Sequence, residues 1–81
     1  MDEKLKALKE ALIQTILTNF ARYNKGIHYQ DFDEAESAAN TCIGVLWDSG
    51  YTVKVERDEA YNYKAIIVDN QKYMVPSDKT H

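Results

Sequence analysis

The sequence predicts an α+β domain in which two N-terminal antiparallel helices pack on one face of a three-stranded antiparallel β-meander. Three observations carry that reading. Apolar residues recur at helical spacing over roughly the first fifty positions, and the period falls to two from Tyr51 onward. The alternating segments are joined by turns too short for a crossover, which leaves antiparallel pairing.

The first helix is expected over residues 3–25. At about 100° per residue, Leu5, Leu8, Leu12, Ile13, Ile16, Leu17, Phe20 and Tyr23 fall within a half-turn arc. Asp2 is placed to cap it. Glu3 suits the positive end of the helix dipole, Arg22 and Lys25 suit the negative end, and Gly26 is expected to end the helix in the left-handed conformation.

The second helix is expected from residue 31 or 32 to Ser49, with Gly50 as its terminator. Asp31 and Glu34 have the spacing of an N-cap acceptor and its N3 partner. Phe32, Ala35, Ala39, Cys42 and Leu46 follow one face. Ala38, Ile43, Val45 and Trp47 widen the apolar arc to about 200°, more than one neighbour requires. The helix is therefore expected to touch both the first helix and the sheet, with Ala35, Ala38 and Ala39 allowing close approach.

"YTVKVE" alternates as a half-buried strand does, "RDEA" reads as a turn, "YNYKAIIV" as a second strand, "DNQ" as a second turn and "KYMV" as a third strand closed by Pro76. The domain is expected to span residues 1–76. The tail "SDKTH", residues 77–81, has nothing to bury and is expected to be loose.

One loop decides which strand residues face the helices. A three-residue loop with Asn70 or Gln71 left-handed turns Tyr63, Ala65, Ile67, Tyr73 and Val75 inward and Lys64, Ile66, Val68, Lys72 and Met74 outward, beside Lys54. A two-residue loop would instead group Ile66, Val68, Tyr73 and Val75 with Lys64, because a one-residue slip exchanges faces. The first register is favoured, since it leaves no lysine in the core.

At 81 residues, 44% hydrophobic and 28% charged, the chain has the balance of one folded domain. A single cysteine and no apolar run near the roughly 20 residues of a membrane span suggest a reducing, cytoplasmic home and no membrane partner. Residues 1–50 hold five basic and eight acidic side chains, and the remainder hold five of each. Such a patchwork neither attracts nor forbids a nucleic acid by bulk field, because phosphate affinity needs clustered Lys and Arg rather than a sum.

The stretch "GIHYQDFDEAE", residues 26–36, looks at first like a metal or catalytic site. As a calcium loop starting at Asp31 it fails, with Ala35 at position 5, Glu36 where glycine is needed and Cys42 where the bidentate glutamate belongs. On a helix Asp31 and Asp33 diverge by about 200° and cannot share an ion. His28 stands without a second imidazole. Cys42 falls within an apolar arc, where a thiol is a small hydrophobe with a raised pKa. Gly26, Gly44 and Gly50 are scattered, so no phosphate-cradling loop exists. No catalytic, cofactor or metal residues are assigned, and no enzyme is expected.

What remains is binding. The expected function is a small non-enzymatic protein-binding module: a regulator, inhibitor or accessory factor of the type phages and mobile elements carry. Its candidate interface is the outer sheet face, Lys54, Lys64, Ile66, Val68, Lys72 and Met74, together with the acidic corner Asp33, Glu34 and Glu36. The uncharged side of helix 2, Ser37, Asn40, Thr41 and Gly44, is a lesser candidate. The alternative is a single-stranded nucleic-acid binder using Tyr61 and Tyr63 with Lys54, Lys64 and Lys72, since aromatics among cations can stack bases. A homodimer through the sheet face is a third reading.

Overall fold

The computed structural model describes residues 3–76, so Asp2 and the tail fall outside the described residues. Two helices, α1 (Glu3–Asn24) and α2 (Tyr29–Asp48), precede three strands, β1 (Val53–Arg57), β2 (Tyr63–Val68) and β3 (Gln71–Met74). The strands form one antiparallel sheet in the order β1-β2-β3. Both helices lie on one face of it, α1 against β2 and α2 against β1.

The buried stripe of α1 is Ile13, Ile16, Leu17 and Phe20. Leu5 and Leu8 continue that stripe in sequence yet are about half exposed. The reason is length: the 22 residues of α1 make roughly 33 Å of helix, while strands of five or six residues span roughly 17–20 Å. The first turns of α1 therefore run past the sheet. Ala35 and Ala39 of α2 are fully buried, and side chains this small let the helices approach closely.

The turn between the helices corrects two expectations. Gly26 is not left-handed; the only positive φ angles among the described residues belong to Gly50, Tyr61 and Asp69. Glycine is needed there for space, because a Cβ would sit 2.9 Å from Cε1 of the Phe32 ring. The second correction concerns the start of α2, which begins at Tyr29 with His28 as N-cap, so Asp31 occupies N3 rather than the cap. From N3 its carboxylate accepts the backbone N–H groups of His28 (3.2 Å) and Ile27 (3.4 Å). Those hydrogen bonds, the one from His28 foremost, hold the Asp31 carboxyl below the usual aspartate range.

The far end of α2 is as expected. Gly50, at φ 99°, donates its N–H to the Trp47 carbonyl (3.0 Å), and Tyr51 donates to the Leu46 carbonyl (3.0 Å). That pair of bonds is the Schellman arrangement, which needs a left-handed residue at the first position beyond the cap.

The sheet register is the main correction. Val68 pairs with Gln71, Ile66 with Tyr73 and Ala65 with Met74, so the second hairpin closes through a two-residue loop, Asp69–Asn70. The anchor is Asp69. With φ at 50°, it donates its N–H to the Thr52 carbonyl (2.9 Å), and its carboxylate accepts the Thr52 N–H (3.0 Å) and hydroxyl (3.3 Å). Ile66 and Val68 consequently belong to the core, at 0% and 1% exposure. They cannot line an open surface.

The two-residue loop does not bury Lys64. β1 pairs Glu56 with Ala65 and Arg57 with Tyr63, and the pairing skips Lys64. This bulge shifts the phase of the strand, as bulges do. Tyr63 joins Ile66 and Val68 in the core, and Lys64 stays exposed. The ring of Tyr63 stacks on Phe20 with centroids 3.7 Å apart and planes 7° from parallel.

Candidate functional site

The face of the sheet turned away from the helices is built by the same register. Across it, Lys54 pairs with Ile67 and Ile67 with Lys72, while Glu56 pairs with Ala65 and Ala65 with Met74. Lys72 Nζ reaches Glu56 at 3.2 Å, an ion pair that spans the middle strand from β3 to β1 over the small Ala65. Met74 is 56% exposed and Ile67 half-buried. Lys54 and Lys64 are exposed and make no ion pair among the described residues. Of the residues expected here, the structure brings together Lys54, Lys72 and Met74, with Lys64 at the rim. It removes Ile66 and Val68 and supplies Ile67, which the wrong hairpin loop had turned inward.

The acidic corner at the start of α2 is mostly engaged within the chain. Glu34 accepts a hydrogen bond from Arg22 at 2.7 Å, and Asp31 lies 4.0 Å from the same guanidinium. Glu36 accepts hydrogen bonds from the Tyr63 hydroxyl and from Arg57 Nη2, the latter at 3.1 Å. Only Asp33 is exposed without such a partner among the described residues. The uncharged side of α2 is open: Ser37, Asn40 and Thr41 are exposed, and a Cβ on Gly44 would meet nothing within 4 Å.

Glu36, Tyr63 and Arg57 form the tightest polar cluster of the described residues. The Arg57 guanidinium lies over the Tyr63 ring, 4.0 Å from its centroid, and Nη2 also donates to the Tyr63 hydroxyl. The backbone of Tyr63 is held by Asn24 at the end of α1, whose side chain donates to the Tyr63 carbonyl and accepts its N–H, both at 2.8 Å. The cluster joins α1, α2, β1 and β2, and every polar group in it is satisfied by another. Its chemistry is that of a clasp.

That clasp has a measurable signature. Burial first, and then the hydrogen bond to Glu36, push the Tyr63 phenol up to about 12, against the opposing pull of Arg57. The unfolded chain releases this proton near pH 10, so the folded form is favoured fully below that value and loses the advantage as pH rises from about 10 to about 12. The denaturant midpoint of the parent is expected to fall across that window, and the fall should shrink in Tyr63→Phe. An identical pH profile in both would remove Tyr63 as the cause.

The alternative nucleic-acid site does not assemble. Tyr63 is buried on Phe20, and Tyr51 is half-buried beneath the Lys9 ammonium, 4.9 Å from its ring centroid. Of the two tyrosines expected at this site, Tyr61, 71% exposed in the β1–β2 turn, is the one left open to stack on a base.

A cleft of about 370 Å³ lies between the end of α1 and the β1–β2 turn. Two of its polar walls, Asn24 and Asp58, are already committed. Asn24 holds Tyr63, and one Asp58 carboxylate oxygen accepts the N–H groups of Ala60 (2.8 Å) and Asn62 (3.0 Å). Cys42 is half-buried, with its thiol pushed up by burial. It lies fourteen positions along from His28, roughly 21 Å of helix, too far for a thiol–imidazole pair. Among the described residues no three acidic, histidine or cysteine side chains gather as metal ligands would, and no helix is long and apolar enough to cross a membrane.

No protein-family model matches the chain, and neither a curated protein nor a solved structure does.

Proposed function

We infer that the chain is a small protein-binding module of regulator, inhibitor or accessory type, and that its contact surface is the open face of the sheet. The observation that carries this reading is that Met74, 56% exposed, shares the face no helix covers with Lys54, and that Lys54, together with Lys64 at the rim, has no ion-pair partner among the described residues. An apolar centre in a polar surround where lysines outnumber the single acid, Glu56, is the composition of a binding patch. The partner that fits is a protein presenting carboxylates around an apolar residue. The acidic corner is left out of this reading, because Glu34 and Glu36 already serve Arg22 and Arg57.

The test is a pull-down with the tagged chain, with and without nuclease, repeated with Met74→Asp and Lys64→Glu. Both positions are exposed, so the fold should survive. A protein that survives nuclease and is retained about tenfold less by each variant supports the surface. A protein retained equally by both variants rejects it, and loss on nuclease treatment alone would favour a nucleic acid.

A further inference from the structure

We propose that the free edge of β1 is a self-association site, at which a second copy of this chain pairs antiparallel about Val55. The proposal is independent of the partner reading above. The two ends of the sheet differ in a way that singles out β1. Because the Thr52 carbonyl accepts the Asp69 N–H, the alternation of an antiparallel strand turns the backbone groups of Lys54 and Glu56 toward β2. Those of Val53 and Val55 then point away from the sheet, where an added strand would meet them.

At the other end, Val75 donates its N–H to the Lys64 carbonyl, so Gln71, Tyr73 and Val75 face β2, and Lys72, Met74 and Pro76 carry the outward phase. Pro76 has no N–H, and a proline at this place is a common way of closing an edge. β1 carries no such stop. Only the bulge at Glu56/Arg57 limits its length.

The charge order of β1 is complementary to itself. With Val55 opposite Val55 of the second copy, Lys54 lies opposite Glu56 and Glu56 opposite Lys54, as a twofold-symmetric contact requires. All four side chains project on the open face, where Glu56 already meets Lys72. The resulting row would run Lys72, Glu56, then Lys54 of the second copy, with its mirror alongside.

Apolar surface flanks the same edge on the helix side. Val55, paired with the buried Ile66, is itself 41% exposed. Trp47 is 52% exposed and lies on the stripe Glu36, Asn40, Ile43, Trp47, the stripe from which Glu36 reaches Arg57 of β1. An added β1 strand would cover part of this surface and yield a six-stranded sheet with all helices on one side.

Sedimentation equilibrium over a concentration series, with the full chain, tests the proposal. The parent should shift from one chain toward two as concentration rises. Lys54→Glu and Glu56→Lys each place like charges opposite one another, and each alone should weaken self-association by about tenfold or more. Mixed together they are complementary, and the mixture should recover the dimer. Val55→Pro removes an outward N–H without touching the ladder to β2, and it should be monomeric and folded by circular dichroism. A parent that keeps the mass of one chain up to about 1 mM overturns the proposal. So does a dimer whose constant is unchanged in the single reversals, or a mixture that associates no better than its components.

Discussion

Ile66→Asp is expected to unfold the chain at room temperature, whereas Ile67→Asp, one residue away, is expected to fold with stability within about 1 kcal/mol of the parent. Ile66 has no exposed surface and sits among Val53, Val68 and the helix side chains. Removing its side chain alone would cost about 2–5 kcal/mol. An aspartate in its place adds the penalty of a buried carboxyl group with nothing placed to hydrogen-bond it. A domain of 81 residues commands roughly 4–12 kcal/mol in total, so the combined loss consumes most or all of it. Ile67 lies on the opposite face between Lys54 and Lys72, where an aspartate gains cationic neighbours. Circular dichroism with urea titration separates the two. An unfolded Ile67→Asp beside a folded Ile66→Asp would reinstate the three-residue loop and reject the register described above.

The contrast between those neighbours marks where the sequence stops being legible. Helix existence and the buried stripe of α1 follow from spacing, because any helix with this pattern presents the same face to whatever it packs on. How much of the stripe is buried does not follow, since Leu5 and Leu8 depend on the length of the strands opposite them. The start of α2 was ambiguous for a related reason. Asp31 with Glu34 and His28 with Asp31 share a spacing of three, and only the backbone path through Gly26, pressed against Phe32, selects the second.

The hairpin was the least legible element, and the missing information is long-range. "DNQ" permits either loop, and the choice is fixed by Asp69 bonding Thr52 seventeen residues away. No lysine is buried among the described residues, but the fold achieves this with a bulge at Lys64 rather than with the other register. Part of the candidate surface inherited that error. Lys54, Lys72 and Met74 lie on the open face in either register, whereas Ile66, Val68 and Ile67 exchange places.

Phe20→Ala is expected to lower the unfolding free energy by about 4–5 kcal/mol, toward the upper end of the range for deleting a buried aromatic. The size of the loss depends on how far the surroundings can close over the space, and here they are held back. Phe20 is 1% exposed, and its principal aromatic neighbour is the Tyr63 ring stacked on it. Tyr63 cannot slide into the gap. Its backbone is tied at both N–H and C=O to Asn24, and its hydroxyl is tied to Glu36 and Arg57. The cavity therefore persists, and the stacking contribution of about 0.5–1.5 kcal/mol is lost with it. Leu8→Ala is the matched control, on the same stripe of α1 but 49% exposed, and should cost under about 1 kcal/mol. If urea unfolding gives Phe20→Ala and Leu8→Ala similar losses, the junction between α1 and β2 is not the centre of the core. If Phe20→Ala instead costs only about 2 kcal/mol, Tyr63 has moved to fill the space, and the Asn24 and Glu36 bonds do not hold it as described.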